Sequence, residues 1–351
     1  MSRRPEPRVT RDIDEVCERL QRGGACALPT ETVYGLAARV HDHDALRRVF
    51  AVKGRPLFDP LIVHVADADQ ARRMTAAWPR AAARLAERYW PGPLTLVLPR
   101  STAAADIVTA GLDTVGVRAP DHPATLEVLR RVGPLAAPSA NRFGRTSPTR
   151  PEHVAAEFPD EDLLILDGGP CGVGIESTVL ALDIDADRSV APRAGRVLRP
   201  GPISRDALEA ALGAVVEQQR SRSDPGRPAQ APGTLDRHYE PGVPVVIVNA
   251  EERRVSTSAD EARFLSDPVV AAVARAARLR ALTSVEVSTI HLADEPTTAA
   301  RTLYADLRVA ASSDGVRAIA IIRRPHQRGP AWTAIWDRLE RAACGDVDER
   351  C

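Results

Sequence analysis

Between residues 13 and 201, short apolar runs alternate with amphipathic stretches, and this alternation limits the possible folds more than any other feature. Residues 25–28, 61–65, 94–98, 163–166 and 178–182 are brief apolar segments bounded by turn residues, which predicts strands. Residues 44–52, 80–89, 123–132 and 152–158 repeat their apolar positions at helical spacing. Strands that alternate with helices need a sheet covered by those helices, an α/β domain. Ser204 suits the N-cap of a further helix, expected to run to about residue 218. Residues 219–243 are rich in Pro, Gly, Arg and Ser and read as an extended linker. A second β–α repeat follows, with strands expected at 245–248, 285–292 and 318–322 and helices at 260–279, 297–310 and 331–343. That order favours a small parallel, Rossmann-like sheet. At 351 residues the chain exceeds one ordinary core, so the expected division is 1–218, a linker at 219–243, and 244–351.

Charge and composition remove several functions. Lys plus Arg and Asp plus Glu both number 47, so nothing marks the chain as a generic polyanion binder. Aromatic residues make up only 4%, too few for a base-stacking surface. Five scattered cysteines form no CxxC pair, which reads as reduced thiols. The first ten residues, MSRRPEPRVT, lack a signal peptide's apolar core, and no run is long enough to span a bilayer. The expectation is a soluble cytoplasmic protein without a membrane partner.

Candidate chemistry sits in short polar strings near the strand ends. KGRP places Lys53 and Arg55 at a turn, where a compact cation and a planar fork both suit phosphate oxygens. The same pair also fits a plain solvated helix end. PSAN, with Ser139 and Asn141, leads into RFGRTSPT, with Ser147; such a loop can form an anion-binding nest or be only a turn. In PTETVYGL, Thr30, Glu31 and Thr32 suit a small polar ligand such as an amino acid, or a strand-to-helix turn with a Thr cap. His64 lies inside an apolar strand, where a structural role is the common one. Arg118 ends another, and a buried Arg needs a carboxylate or phosphate partner. The chain has no GxSxG, no HExxH and no cysteine beside a plausible base. Cations, hydroxyls and amides without a protein nucleophile point to transfer chemistry by positioning and charge neutralisation.

PTETVYGL, KGRP, LIVHV, VGVRAP, PSAN, ESTV and HYEP, in this order, resemble the Sua5/YrdC family of L-threonylcarbamoyladenylate synthases. The resemblance extends over nearly the whole chain, more weakly in the second unit through TLYADLR and AIWDRLERAA. It implies a YrdC-like twisted-sheet catalytic domain followed by a small Rossmann-like domain. It also implies ATP, L-threonine and bicarbonate or CO2 as substrates, with Mg²⁺ carried by the nucleotide. The product, threonylcarbamoyl-AMP, would supply N6-threonylcarbamoyladenosine at position 37 of tRNAs reading ANN codons. A separate transferase would complete that step, making tRNA or transferase proteins possible partners.

By resemblance, Thr32, His64, Arg118 and Ser177 contact threonine, with the Ala137 backbone nearby. Lys53, Arg55, Ser139, Asn141 and Ser147 surround the triphosphate, with Lys53 and Arg55 in the catalytic role. Thr114, Arg199 and Tyr239 complete the ATP site, Tyr239 from a linker that acts as a lid. Asp59, within RPLFDPL, also falls in the ATP group but departs from the family's usual Asn. A carboxylate there repels phosphates unless a cation intervenes. The segment between ESTV and the RPG turn is longer than the family pattern, which bears on whether Arg199 is the matching arginine. Two other functions stay open: a diverged paralogue activating another amino acid, and a YrdC-like RNA-binding module.

Overall fold

The computed structural model describes residues 6–183, 193–218, 238–250 and 286–343. The chain divides into two compact units, Met1–Phe143 with Ser147–Asp236, and Gly144–Thr146 with Arg237–Cys351.

Among the described residues of the first unit, strands β1 (Arg8–Thr10), β2 (Cys26–Leu28), β3 (Gly35–Arg39), β4 (Ile62–His64), β5 (Leu94–Pro99) and β6 (Thr114–Arg118) come first in the chain. β7 (Leu135–Ala136), β8 (Leu164–Leu166), β9 (Thr178–Leu182), β10 (Arg193–Arg199) and β11 (Val215–Gln218) follow. They form one mixed sheet in the order β1-β8-β2-β3-β7-β4-β6-β5-β9-β10-β11. The helices are α1 (Ile13–Gln21), α2 (His43–Lys53), α3 (Ala68–Met74), α4 (Arg80–Tyr89), α5 (Asp106–Thr109), α6 (Pro123–Val132), α7 (Pro151–Glu157) and α8 (Arg205–Leu212).

Local chemistry sets the elements that carry the site. Asp42 caps α2 by accepting the Ala45 N–H at 2.9 Å. Ala45, Leu46, Val49 and Phe50 form its buried stripe, and Lys53 continues that stripe into the interior. Gly54, at φ +62°, then ends the helix in the left-handed conformation, and the Arg55 N–H closes on Phe50 O at 2.9 Å. The parallel pairing of β4 with β6 sets His64 opposite Arg118 at the strand ends.

The second unit contains β12 (Val245–Asn249), β13 (Val287–Ile290) and β14 (Ala318–Arg323), ordered β12-β14-β13 and parallel throughout. Helices α9 (Pro296–Ser312) and α10 (Thr333–Ala342) complete its described part, α10 entered through a 3-10 turn at Pro330–Trp332. Val246, Ala318 and Ala320 are buried together with Val248 and Val287 packed against them. The fold is therefore the expected one, a mixed α/β domain and a separate small parallel sheet.

Two expectations need correction. The helix capped by Ser204 ends at Leu212, because Gly213 takes φ +66°, and the β-branched Val215 and Val216 open strand β11. The turn after β2 leads to strand β3, antiparallel to β2, and not to a helix. The expected helix 260–279 lies outside the described residues, as do Cys344, Cys351 and residues 219–237 of the expected linker.

Candidate active site

Lys53 is 2% exposed, and its Nζ donates to the carbonyl oxygens of Ser139, at 2.5 Å, and Asn141. The PSAN loop is held against β3: Leu36 N–H donates to Pro138 O, and Ala140 N–H to Tyr34 O. At Gly35 the backbones come so close that a Cβ would lie 3.2 Å from the Ala137 Cβ. Burial pushes the Lys53 ammonium well below its ordinary value, with Arg55 adding repulsion and Asp59 opposing it.

Arg55 donates from Nε to Asp59 O at 3.2 Å and from Nη2 to Pro60 O at 2.9 Å. It also forms an ion pair with Asp59 at 2.9 Å. Arg199 lies within electrostatic range of the same carboxylate. Arg199 further donates from Nη2 to the Ser177 carbonyl at 3.0 Å and to Ser177 Oγ at 3.1 Å. Ser177 Oγ meets Thr95 Oγ1 at 2.8 Å, and Ser147 donates to Glu176 Oε1 at 2.6 Å. These contacts link Lys53, Arg55, Asp59, Ser139, Asn141, Arg199 and Ser177 through one continuous set of interactions, with Ser147 tied to the residue before Ser177.

The amino-acid end of the expected site also comes together. Arg118 and Glu31 form a 2.7 Å ion pair. Thr32 Oγ1 meets Thr30 Oγ1 at 2.8 Å, and Ala137 N–H donates to Ile62 O at 3.1 Å. Burial, with Arg118 adding repulsion, lowers His64 to about 3, so the imidazole is neutral at ordinary pH.

Thr114 and Tyr239 are the remaining expected residues. Thr114 begins β6, ~13 Å along the strand from Arg118, and lines a small cavity with Pro60, Thr95 and Val97. Tyr239 belongs to the second unit, where it stacks on Tyr304 at 5.7 Å and meets His238 edge-on at 4.2 Å. Its φ of +70° is strained for a bulky residue.

Reasoning from sequence missed the pairings of Glu31, Glu176 and Thr95. The first had a signal, since a buried arginine requires an acidic partner and Glu31 adjoins Thr32. Thr95 sits within an apolar strand without distinguishing context.

Residues 18–201 match the Sua5–YciO–YrdC family model, described as "Telomere recombination". Residues 203–344 match the model described as "Threonylcarbamoyl-AMP synthase, C-terminal domain". The chain belongs to the Sua5/YrdC family. It is 36% identical over 343 residues to the threonylcarbamoyl-AMP synthase of Bacillus subtilis, covering 95% of this chain and 94% of that one. The threonylcarbamoyl-AMP synthase of Pyrococcus abyssi is 40% identical over 243 residues, 69% of each chain. A crystal structure of P. abyssi Sua5 complexed with L-threonine matches with a TM-score of 0.79 at 32% identity, covering 96% of this chain and 97% of that one. Lys53, Arg55, Ser139 and Asn141, the residues that resemble this family's phosphate-binding signatures, are the ones gathered around the end of α2.

Proposed function

We propose that the chain is an L-threonylcarbamoyladenylate synthase, converting L-threonine, bicarbonate or CO2, and ATP into threonylcarbamoyl-AMP and pyrophosphate. The observation that carries the reading is the match, along nearly the full length of both chains, to a Sua5 solved with L-threonine. The cation and hydroxyl chemistry gathered in the first unit supports it.

In this reading the threonine ammonium first loses a proton, and the neutral amine then adds to CO2, giving a carbamate and releasing a second proton to water. A carbamate oxygen then attacks the α-phosphorus of ATP, and pyrophosphate leaves. Lys53 and Arg55 offset the charge that accumulates on the leaving group, while Ser139, Asn141 and Ser147 orient the phosphates. Arg118 receives the threonine carboxylate, with Thr32, His64, Ser177 and the Ala137 backbone around the side chain. Thr114, Arg199 and Asp59 belong to the ATP end, and Tyr239 enters through the family resemblance alone. Mg²⁺ arrives as part of the nucleotide substrate. The product feeds N6-threonylcarbamoyladenosine formation in tRNA through a separate transferase.

The test is pyrophosphate release from ATP and bicarbonate, with and without L-threonine, with mass detection of the nucleotide product. Threonine-dependent release with threonylcarbamoyl-AMP is the expected result. Release with another amino acid instead identifies a diverged paralogue. Silence with every amino acid, together with salt-sensitive RNA binding, favours the RNA-binding module.

A further inference from the structure

Glu31 has no part in the reaction as described, yet it holds a costly position. Its side chain is 10% exposed, and its Oε2 meets Arg118 Nη2 at 2.7 Å. Neither Glu31 oxygen nor Arg118 Nη2 makes a hydrogen bond of ordinary geometry. The two charges touch without aligned bonds, leaving lone pairs of a nearly buried carboxylate unfilled. The backbone on either side is fixed. Val173 N–H donates to Glu31 O at 2.7 Å, and Thr30 Oγ1 bonds both Thr32 N–H and Val33 O. Arg118 is held from its other side by Nε donation to Gly92 O at 3.1 Å.

The histidines and the cysteine that neighbour Glu31 bring no charge to it. His64, opposite Arg118 on β4, is neutral. Burial also lowers His122 from its ordinary value and pushes the Cys171 thiol up to about 12. Arg118 is thus the cation that Glu31 meets. An α-amino acid carries a carboxylate and an ammonium on one carbon. An arginine and a glutamate in contact present the complementary pair at a similar separation, and an ammonium hydrogen fits an unfilled carboxylate lone pair.

We propose that Glu31 receives the α-ammonium group of the amino-acid substrate while Arg118 receives its carboxylate, so that the pair selects α-amino acids over the corresponding hydroxy acids. The proposal rests on the threonine reading above.

The test is calorimetric binding of L-threonine, and of the analogue with a hydroxyl in place of the amine, to the full chain and to Glu31→Gln. The wild type should prefer threonine by about tenfold or more, the ratio expected of one charge-assisted hydrogen bond. Glu31→Gln should lose most of that preference while binding the hydroxy analogue nearly as the wild type does. Equal weakening of both ligands would mark a merely structural residue and overturn the proposal, as would an unchanged preference. Should Glu31→Gln fail to fold, the wild type still decides: equal affinity for the two ligands refutes an ammonium receptor. If the wild type ignores threonine but prefers another α-amino acid through Glu31, the synthase reading falls and the ammonium site stands.

Discussion

Arg55 and Asp59 form an ion pair of 2.9 Å in which the two side chains are 4% and 0% exposed. Burial of a carboxylate this deep is tolerable only beside a cation, and the pair answers the difficulty that Asp59 raises in a triphosphate site. The carboxylate is already matched by Arg55, with Lys53 and Arg199 in range.

Removing one partner of this pair should cost more than removing both charges. Arg55→Ala leaves Asp59 buried without its cation and should destabilise by about 3 kcal/mol or more. The double variant Arg55→Ala/Asp59→Asn should recover part of that loss in urea unfolding. Burial raises the Asp59 carboxyl from 3.8 despite Arg55, Lys53 and Arg199, so desolvation outweighs the contact. A carboxyl raised on folding contributes stability below its unfolded pKa and loses it as pH climbs through the folded value. Asp59→Asn alone should therefore show a smaller fall in stability than the wild type as pH rises from 3.8. Its KM for ATP should change little, because Arg55 already offsets the Asp59 charge. A several-fold fall in KM would mean that Asp59 still repels the nucleotide despite the pair.

His64 should not titrate in the physiological range. Burial and Arg118 lower its imidazole from 6.5 to about 3, against a hydrogen bond to the Ile62 backbone that raises it. Its stability contribution is complete above 6.5 and is lost as pH falls toward 3, because the unfolded imidazole takes up a proton that the folded one refuses. NMR should show fixed His64 ring shifts from pH 8 to 5. His64→Gln should flatten the acid limb of the stability curve. A ring titrating near 6 would mean that the site admits water.

Much of this arrangement is legible in the sequence, and the limits have physical causes. Helices 80–89 and 123–132 appear with the expected bounds because their apolar spacing is strong and proline flanks both starts. Strand β3 falls outside the expected strands because GLAAR is small and buried on both faces, with no polar alternation to mark it. Arg118 is recognisable as a buried arginine, but its partner Glu31 is 87 positions earlier in the chain, beyond the reach of local patterns. Asp59 looks like a repelling charge in one dimension. Only the turn after Gly54 brings Arg55 back onto it.

Lys53 combines a packing role with a chemical one. Its stem continues the apolar stripe of α2, and its ammonium serves the carbonyls of Ser139 and Asn141. Lys53→Ala should cut turnover by about 100-fold or more and lower stability by about 2 kcal/mol, since two carbonyls lose their donor. Lys53→Arg should not restore activity, because a planar fork does not fit a site shaped around a compact ammonium. Steady-state kinetics and urea unfolding on the three proteins check both parts.

Gly201 joins the fold to the chemistry at one backbone contact. A Cβ there would lie 2.6 Å from the carbonyl carbon of Ser177 and from Thr178 Cα, and closer still to the Thr178 nitrogen. These are rigid main-chain atoms, so the strain cannot be relieved by a rotamer change. The displaced segment carries Ser177, whose carbonyl and hydroxyl hold the Arg199 guanidinium, and Thr178, whose hydroxyl pins Ile203 at 2.8 and 3.0 Å. Gly201→Ala should cost about 1–3 kcal/mol in stability. It should also lower kcat/KM for threonine and for ATP together, because Ser177 and Arg199 shift as one. Arg199→Ala leaves the turn in place and should raise chiefly the KM for ATP. If Gly201→Ala instead affected ATP alone, Ser177 would not be contributing to the amino-acid end of the site.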